Sequence, residues 1–304
     1  MKRIPFTLSA FGFSLVILGM AVTRTLSAPR LDDSGSLASG TVFHDANRNG
    51  RRDADEQGLP DVRVSNGREI VKTDAGGGYR LPVTNDTIIF VIKPGGWMTP
   101  LSTDNRPRFY YIHKPKGSPQ QKFAGVTATG PLPDAIDFPL HRHEEPSKFT
   151  AIFLGDPQAG SQQQVDYLAH DIVEELIGTD AVFGITLGDI TDNNPALFDS
   201  IAQTLGLVGI PWYSVLGNHD MNYDSPDDTY STESFQRAYG PPYYAFDFGP
   251  VHFVVLDDVV WLRPTKDDDG HYVAGLGEKQ LDFVRNDLAL LPKDQLVVLT
   301  MHIP

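Results

Sequence analysis

The sequence predicts an α/β protein, a layered α/β domain preceded by a small all-β sandwich. Three observations carry that expectation. Short strand-like runs broken by Gly, Pro, Asn and Asp clusters fill the stretch from Ser39 to His143. From Lys148 onward, apolar strands alternate with helical stretches. Four of those later strands end in residues whose side chains bind metal ions. The expected organisation is a signal peptide over 1–28, a β module over 37–143 and an α/β domain over 148–304.

At the N-terminus, Lys2 and Arg3 precede an apolar run from Phe6 to Val22, and Leu26-Ser27-Ala28 offers a small-residue cleavage site. That is the layout of an export signal, with a run at the short limit for a membrane span. The expected location is outside the cytoplasm: periplasmic, cell-surface or secreted, with no membrane span after cleavage. The chain has no cysteine, which excludes disulfides, thiolate metal sites and a lipoprotein anchor. The formal net charge of −14 argues against binding to nucleic acid, since little would neutralise its phosphates. A phosphorylated substrate is still allowed, because carboxylates that gather cations form a locally positive site.

The β module is read from Thr41–Phe43, Val62–Val64, Glu69–Lys72, Gly78–Pro82, Thr87–Lys93, Phe109–His113 and Ala135–Leu140. Asn66-Gly67 predicts a hairpin turn, since both residues tolerate positive φ. The polar, Pro-containing stretch His141–Ser147 reads as a linker. Beyond it, the expected strands are Phe149–Gly155, Ala181–Gly188, Trp212–Gly217 and Leu296–Met301, with helices over Gln162–Ile177, Pro195–Leu205 and Gly277–Leu290.

Two clusters carry chemistry. In the β module, Asp45, Asn47, Asn49, Asp53 and Glu56 occupy positions one, three, five, nine and twelve of a loop whose sixth residue is Gly50. That is the spacing of an EF-hand calcium loop, set here between strands rather than helices. The alternative is an Asx-rich turn without an ion, since Arg48, Arg51 and Arg52 lower the local negative charge. The loop resembles the calcium-loop hairpins of bacterial surface proteins with prealbumin-like or Cna-B-like modules.

In the second cluster, Asp156-Pro-Gln158, Gly188-Asp189-Ile-Thr-Asp192 and Gly217-Asn218-His219-Asp220 each follow an apolar strand, and His302 follows the fourth. Side chains at the carboxyl ends of adjacent parallel strands converge on one crevice. Alone, each motif has a plainer reading: a strand-ending Asp caps a turn, Asp192 or Asn193 caps a helix, and a single His packs in a core. As a set they resemble the calcineurin-like metallophosphoesterases over residues 148–304. Phe235–Phe246, Val251–Asp257 and Val297–Pro304 resemble that family as well.

The resemblance implies a layered metallophosphoesterase β-sandwich/α domain behind a prealbumin-like sandwich. It further implies hydrolysis of phosphoesters by two divalent metal ions (Mn, Fe, Mg or Zn) and a bridging hydroxide nucleophile. By the same carry-over, Asp156 and Gln158 help bind one metal, Asp189 bridges both, and Asn218 and His302 hold the second. His219 contacts the phosphoryl oxygen or protonates the leaving group, and Asp192 orients it. The expected substrate is a small-molecule or cell-surface phosphoester.

There are two departures from the family pattern. Gln158 stands where the family has His, and its oxygen suits Mn²⁺ or Mg²⁺ better than Zn²⁺. The family's later Gly-His-x-His does not follow His302, and Gly270-His271-Tyr-Val273 has half the pattern on the wrong side of the fourth strand. The expectation is therefore a catalytic domain truncated at its C-terminus, with impaired turnover. The rival reading is a non-enzymatic secreted surface protein with a calcium-binding β module and a vestigial phosphatase domain. Tyr223, Asp227, Asp228 and Tyr230 either line the cleft or form a surface loop.

Overall fold

The computed structural model describes residues 35–263 and 271–304. The expected signal peptide at 1–28 and the acidic run Asp267–Asp269 lie outside the described residues. Among the described residues, no helix is long and apolar enough to cross a membrane.

Eight strands come first: β1 (Ser36–His44), β2 (Arg63–Ser65), β3 (Ile70–Lys72), β4 (Gly78–Val83), β5 (Thr87–Val91), β6 (Trp97–Met98), β7 (Tyr110–His113) and β8 (Phe138–Arg142). They make two four-stranded sheets ordered β4-β1-β8-β6 and β3-β2-β5-β7. Val42, Leu81 and Leu140 from one sheet and Val64, Ile89 and Val91 from the other share one buried core. Alternating side chains put these apolar residues on the inner faces, as a sandwich requires. The Asn66-Gly67 hairpin forms between β2 and β3. Only Gly67 takes positive φ, because the side-chain Oδ1 of Asn66 accepts from Arg68 N and Glu69 N and builds an Asx turn instead.

The remaining strands are β9 (Thr150–Leu154), β10 (Ala181–Leu187), β11 (Trp212–Val215), β12 (Tyr244–Phe248), β13 (Val251–Val255), β14 (Val259–Leu262), β15 (His271–Ala274) and β16 (Leu296–Thr300). β9, β10 and β11 form a parallel sheet in the order β11-β10-β9. β12, β13 and β16 form a second sheet, with β16 parallel to β13. Phe183 on β10 meets Phe246 and Phe253 across the gap, and the Tyr213 ring stacks on Phe246 at 4.0 Å, so the two sheets pack face to face. Helices Phe198–Gly206 and Glu233–Tyr239 cover the other face of the first sheet with Phe198, Ile201, Leu205 and Phe235, packed against Trp212 and Leu216. Gln162–Leu168 starts a helix that widens into a π-helical turn at Ala169–Val173 before ending at Leu176, rather than the uniform helix expected.

This arrangement corrects one expectation. The fourth strand expected to bear a ligand, β16, is not a neighbour of the other three but an edge of the opposing sheet. Nor are all four strands buried. Phe153 on β9, and Leu296 and Leu299 on β16, are about half exposed, since each of these strands has a neighbour on one side only.

The segment expected to be a polar linker is locked in place. The buried Glu145 carboxylate accepts from Lys93 Nζ at 2.6 Å and from the backbone N–H groups of Gly96 and Gly249. The two halves also share a continuous apolar core, with Phe90 against Phe283 and Phe109 against Tyr244. Within it lies a closed ring of charges. Arg63 on β2 donates to Asp247 and to Asp287, each at 2.8 Å, while the two ring nitrogens of His252 lie 2.6 Å from Asp247 and 2.7 Å from Asp287.

A neutral imidazole has one N–H, so only the imidazolium can donate to both carboxylates. Burial lowers the His252 pKa, but the hydrogen bonds to Asp247 and Asp287 outweigh it and the net shift is upward. Burial raises the Asp247 pKa, but the hydrogen bond from His252 and the Arg63 charge bring it below the usual value. The raised His252 contributes stability that is complete below its unfolded pKa and is lost as pH rises through its folded pKa. The depressed Asp247 contributes stability present above its unfolded pKa and lost as pH falls through its folded one. Both contributions are complete between roughly pH 4 and 6.5. Removing one member of such a buried set costs about 3–5 kcal/mol. Urea unfolding at pH 6 should show that loss for His252→Ala, and the gap from wild type should narrow at pH 9. A gap independent of pH would refute the imidazolium assignment.

Candidate metal centre

The site is built where loops leave the two sheets. Asp156 and Gln158 follow β9, Asp189 follows β10, Asn218 and His219 follow β11, and His302 follows β16. Asp156, Gln158 and Asp189 all take left-handed backbone, with φ of 48°, 42° and 48°. For residues other than glycine this costs on the order of 1–3 kcal/mol each, and such strain gathers at functional sites. Here it is held by cross-loop pairing: Gln158 N donates to Asp189 O at 2.9 Å, and Ala159 bridges to Thr191. Two glycines permit the close approach. A Cβ on Gly217 would sit 1.9 Å from Asp189 N, and one on Gly188 would sit 2.5 Å from His302 Nδ1.

Asp156, Asp189 and His302 each offer a ligand atom, and all three atoms lie within 4.8 Å of one another. The His302 ring shows what this cluster wants. Its Nδ1 lies 2.9 Å from the Leu187 carbonyl, which can only accept, so Nδ1 carries the hydrogen. In the neutral ring, Nε2 is then a lone-pair nitrogen, and it faces Asn218 Oδ1 at 3.0 Å and Asp189 Oδ1 at 3.2 Å. A proton on Nε2 or a bound metal cation would each reconcile these acceptors, and the second is the arrangement a metal site uses. A histidine that donates its other N–H to a backbone carbonyl while presenting a lone pair to carboxylates is arranged as a metal ligand is. Residues and cation fit.

Gln158 reaches the same place, its Nε2 donating to Asp189 Oδ2 at 3.1 Å; a half-turn of the amide exchanges nitrogen for oxygen. His219 stands at the rim. Its Nδ1 lies 3.3 Å from Asp192 Oδ1 and its Nε2 3.9 Å from Asp189 Oδ2, while its backbone N–H donates to Asp189 Oδ1.

Two residues that sequence reasoning left without a role hold the centre together. The fully buried Asp220 accepts backbone N–H groups from Ile190, Thr191 and Gly217, pinning two ligand loops to each other. Burial pushes its carboxyl up to about 7 despite those three donors. Asp258 accepts from the backbone N–H groups of His302 and Ile303 and so fixes the end of the fourth strand. The Asn-His-Asp run displayed Asp220, but nothing local distinguishes a brace from a ligand. Of the cleft candidates, Tyr223 lines a cleft of about 350 Å³ together with Asn218 and His219. Asp227 caps the turn at Asp228–Tyr230, and Asp228 accepts from Trp261 N.

The loop of Asp45, Asn47, Asn49, Asp53 and Glu56 lies in the β module. Asp45 accepts from Asn49 N and Gly50 N, and Glu56 from Ala46 N and Asp53 N. Asp53 Oδ2 accepts from the side-chain amides of Asn47 and Asn49. The loop's own N–H groups account for its shape.

A family profile described as Calcineurin-like phosphoesterase matches residues 149–304, and one described as N terminal of Calcineurin-like phosphoesterase matches residues 46–127. Among the solved structures, a purple acid phosphatase from yellow lupin (Lupinus luteus) seeds is similar at 12% identity and a TM-score of 0.35. The match covers 79% of this chain and 45% of the lupin chain. A likeness at that level carries no argument. No curated protein matches.

If Asp220 braces the centre, Asp220→Ala leaves three buried N–H groups unpaired, at about 1–3 kcal/mol for each unsatisfied group. Thermal unfolding should show a large loss, and Mn²⁺ affinity measured by calorimetry should fall with it. Unchanged affinity would show that the loops hold their places without Asp220.

Proposed function

We propose, from the premise that this chain belongs to the calcineurin-like phosphoesterase family, that it carries the ligand set of a metal-dependent phosphoester hydrolase. The observation that supports the reading most is the convergence of Asp156, Asp189, Asn218 and His302 Nε2 on one point. In the finer form of the proposal, Asp156 and Gln158 help hold one divalent ion, Asp189 serves two, and Asn218 and His302 hold the second. The oxygen-rich set suits Mn²⁺ or Mg²⁺. When bound, such ions supply the positive charge that polarises a phosphoryl group and lowers the pKa of water.

The chain's own residues do the rest. The strained loops fix the ligand atoms before any cation arrives, so little reorganisation is needed. His219 faces the cleft and donates to a phosphoryl oxygen or returns a proton to the leaving oxygen. Asp192, at 3.3 Å from His219 Nδ1, orients the ring, and only the imidazolium, with hydrogen on both nitrogens, would donate from Nε2 while Nδ1 faces that carboxylate. Small-molecule or cell-surface phosphoesters are the substrates proposed, with export through the segment 1–28. Calcium in the loop Asp45–Glu56 is proposed as a structural supplement to the β module.

The test is hydrolysis of p-nitrophenyl phosphate and of its bis ester by the Mn²⁺-loaded protein. Asp189→Asn should lower kcat/KM by more than about 100-fold, since even outer partners of a metal site are worth about 10–100-fold. Activity that survives EDTA, or that Asp189→Asn leaves intact, would contradict the proposal.

A further inference from the structure

The cleft beside His219 is not made by the α/β part alone. Its walls include Lys122 and Phe123 from the β module, facing Tyr223 and Tyr272 across a volume of about 350 Å³ that Asn218 and His219 close at the metal end. The segment bearing Lys122 and Phe123 is anchored at both its base and its tip.

At the base, Ser118 N donates to Val126 O at 2.8 Å and Val126 N to Ser118 Oγ at 2.7 Å, closing the loop on itself. The Ser118 hydroxyl and the Lys114 ammonium both bond the buried carboxylate of Glu233, which belongs to the helical layer over the first sheet. At the tip, Lys122 N donates to Asp224 Oδ2 at 2.6 Å and Gln121 Nε2 donates to Tyr230 O at 3.0 Å. Both acceptors lie on the loop that follows the Asn218-His219 motif. A loop tied to the metal-bearing half at both ends holds its side chains in a fixed place relative to that site.

What it presents has a clear chemical preference. Phe123 is half-buried, and the Lys122 ammonium stands over its ring, 4.9 Å from the centroid. Tyr223 is itself fixed edge-on against the buried Trp261 at 5.0 Å. Aromatic walls favour a flat ring, which they can stack or meet edge-on, and the ammonium favours a negative charge on it. The Asp224 carboxylate also lines this cleft, but one of its oxygens is already engaged by the Lys122 N–H.

We propose that the loop 118–126 forms the leaving-group subsite of the centre, with Phe123, Tyr223 and Tyr272 receiving an aromatic ring and Lys122 an anionic substituent on it. The substrate class is thereby an aryl-bearing phosphoester with a second negative charge. This rests on the phosphoesterase reading of the centre and adds to the β module a part in choosing the substrate.

The experiment is calorimetric binding of three non-hydrolysable probes to the Mn²⁺-loaded protein: methylphosphonate, phenylphosphonate and 4-carboxyphenylphosphonate. Phenylphosphonate should bind about tenfold more tightly than methylphosphonate, the order of magnitude of one stacking contact. The carboxylated probe should bind more tightly still. Phe123→Ala and Phe123→Leu should both remove the preference for the ring, whereas Phe123→Trp should keep it. Lys122→Ala should remove only the preference for the carboxylate. Equal binding of phenyl- and methylphosphonate, binding of neither, or a ring preference that survives Phe123→Leu would each overturn the subsite. Probes that bind with the expected order to a protein that hydrolyses nothing would sink the phosphoesterase reading and leave the subsite standing.

Discussion

His302 Nε2 is aimed at the oxygens of Asp189 and Asn218, and much of the local structure exists to keep it there. These groups come from separate loops that have to be held together. They are held by the Leu187 carbonyl on the far side of the ring, by Asp258 on the backbone of His302 and Ile303, and by Asp220 between the other two loops. Left-handed backbone at Asp156, Gln158 and Asp189 adds strain that the surrounding pairing has to bear. A fold that holds strained loops and ligand-type side chains at one point is pre-organised for a cation.

Because the candidate ligands come from two opposing sheets, the site depends on how those sheets are set. Tyr213 stacked on Phe246, and Phe183 wedged among Phe246, Phe248 and Phe253, fix that spacing. The β module helps fix it too. Lys93 pairs in parallel with Phe246, its ammonium donates to Asp247 O, and Arg63 bonds Asp247 and Asp287 from below. The module in front is therefore packed into the foundation of the site. The buried charges at this junction are costly unless fully paired, and here each finds its partner.

The sequence displayed the strands and turns well, because period-two burial and Gly, Pro and Asn punctuation are local signals. It displayed the candidate ligands as strand-ending motifs, and the ligand atoms of Asp156, Asp189 and His302 lie close together. It did not display which sheet carries His302, since β13 and β16 are parallel partners separated by some forty residues and no local pattern encodes that pairing. For the same reason nothing in the sequence singled out Asp220 and Asp258. Their acceptors' partners are backbone groups, which leave no mark on the sequence. The closeness of Lys122 and Phe123 to Tyr223 was equally hidden, being a contact across a hundred residues.

The central claim is that the point between Asp156, Asp189 and His302 binds a divalent cation. Anomalous diffraction from crystals soaked in Mn²⁺ tests it directly. The account predicts a manganese peak at coordination distance, about 2.0–2.4 Å, from a carboxylate oxygen of Asp189 and from His302 Nε2. An empty site at saturating Mn²⁺, or manganese bound only elsewhere, would contradict it.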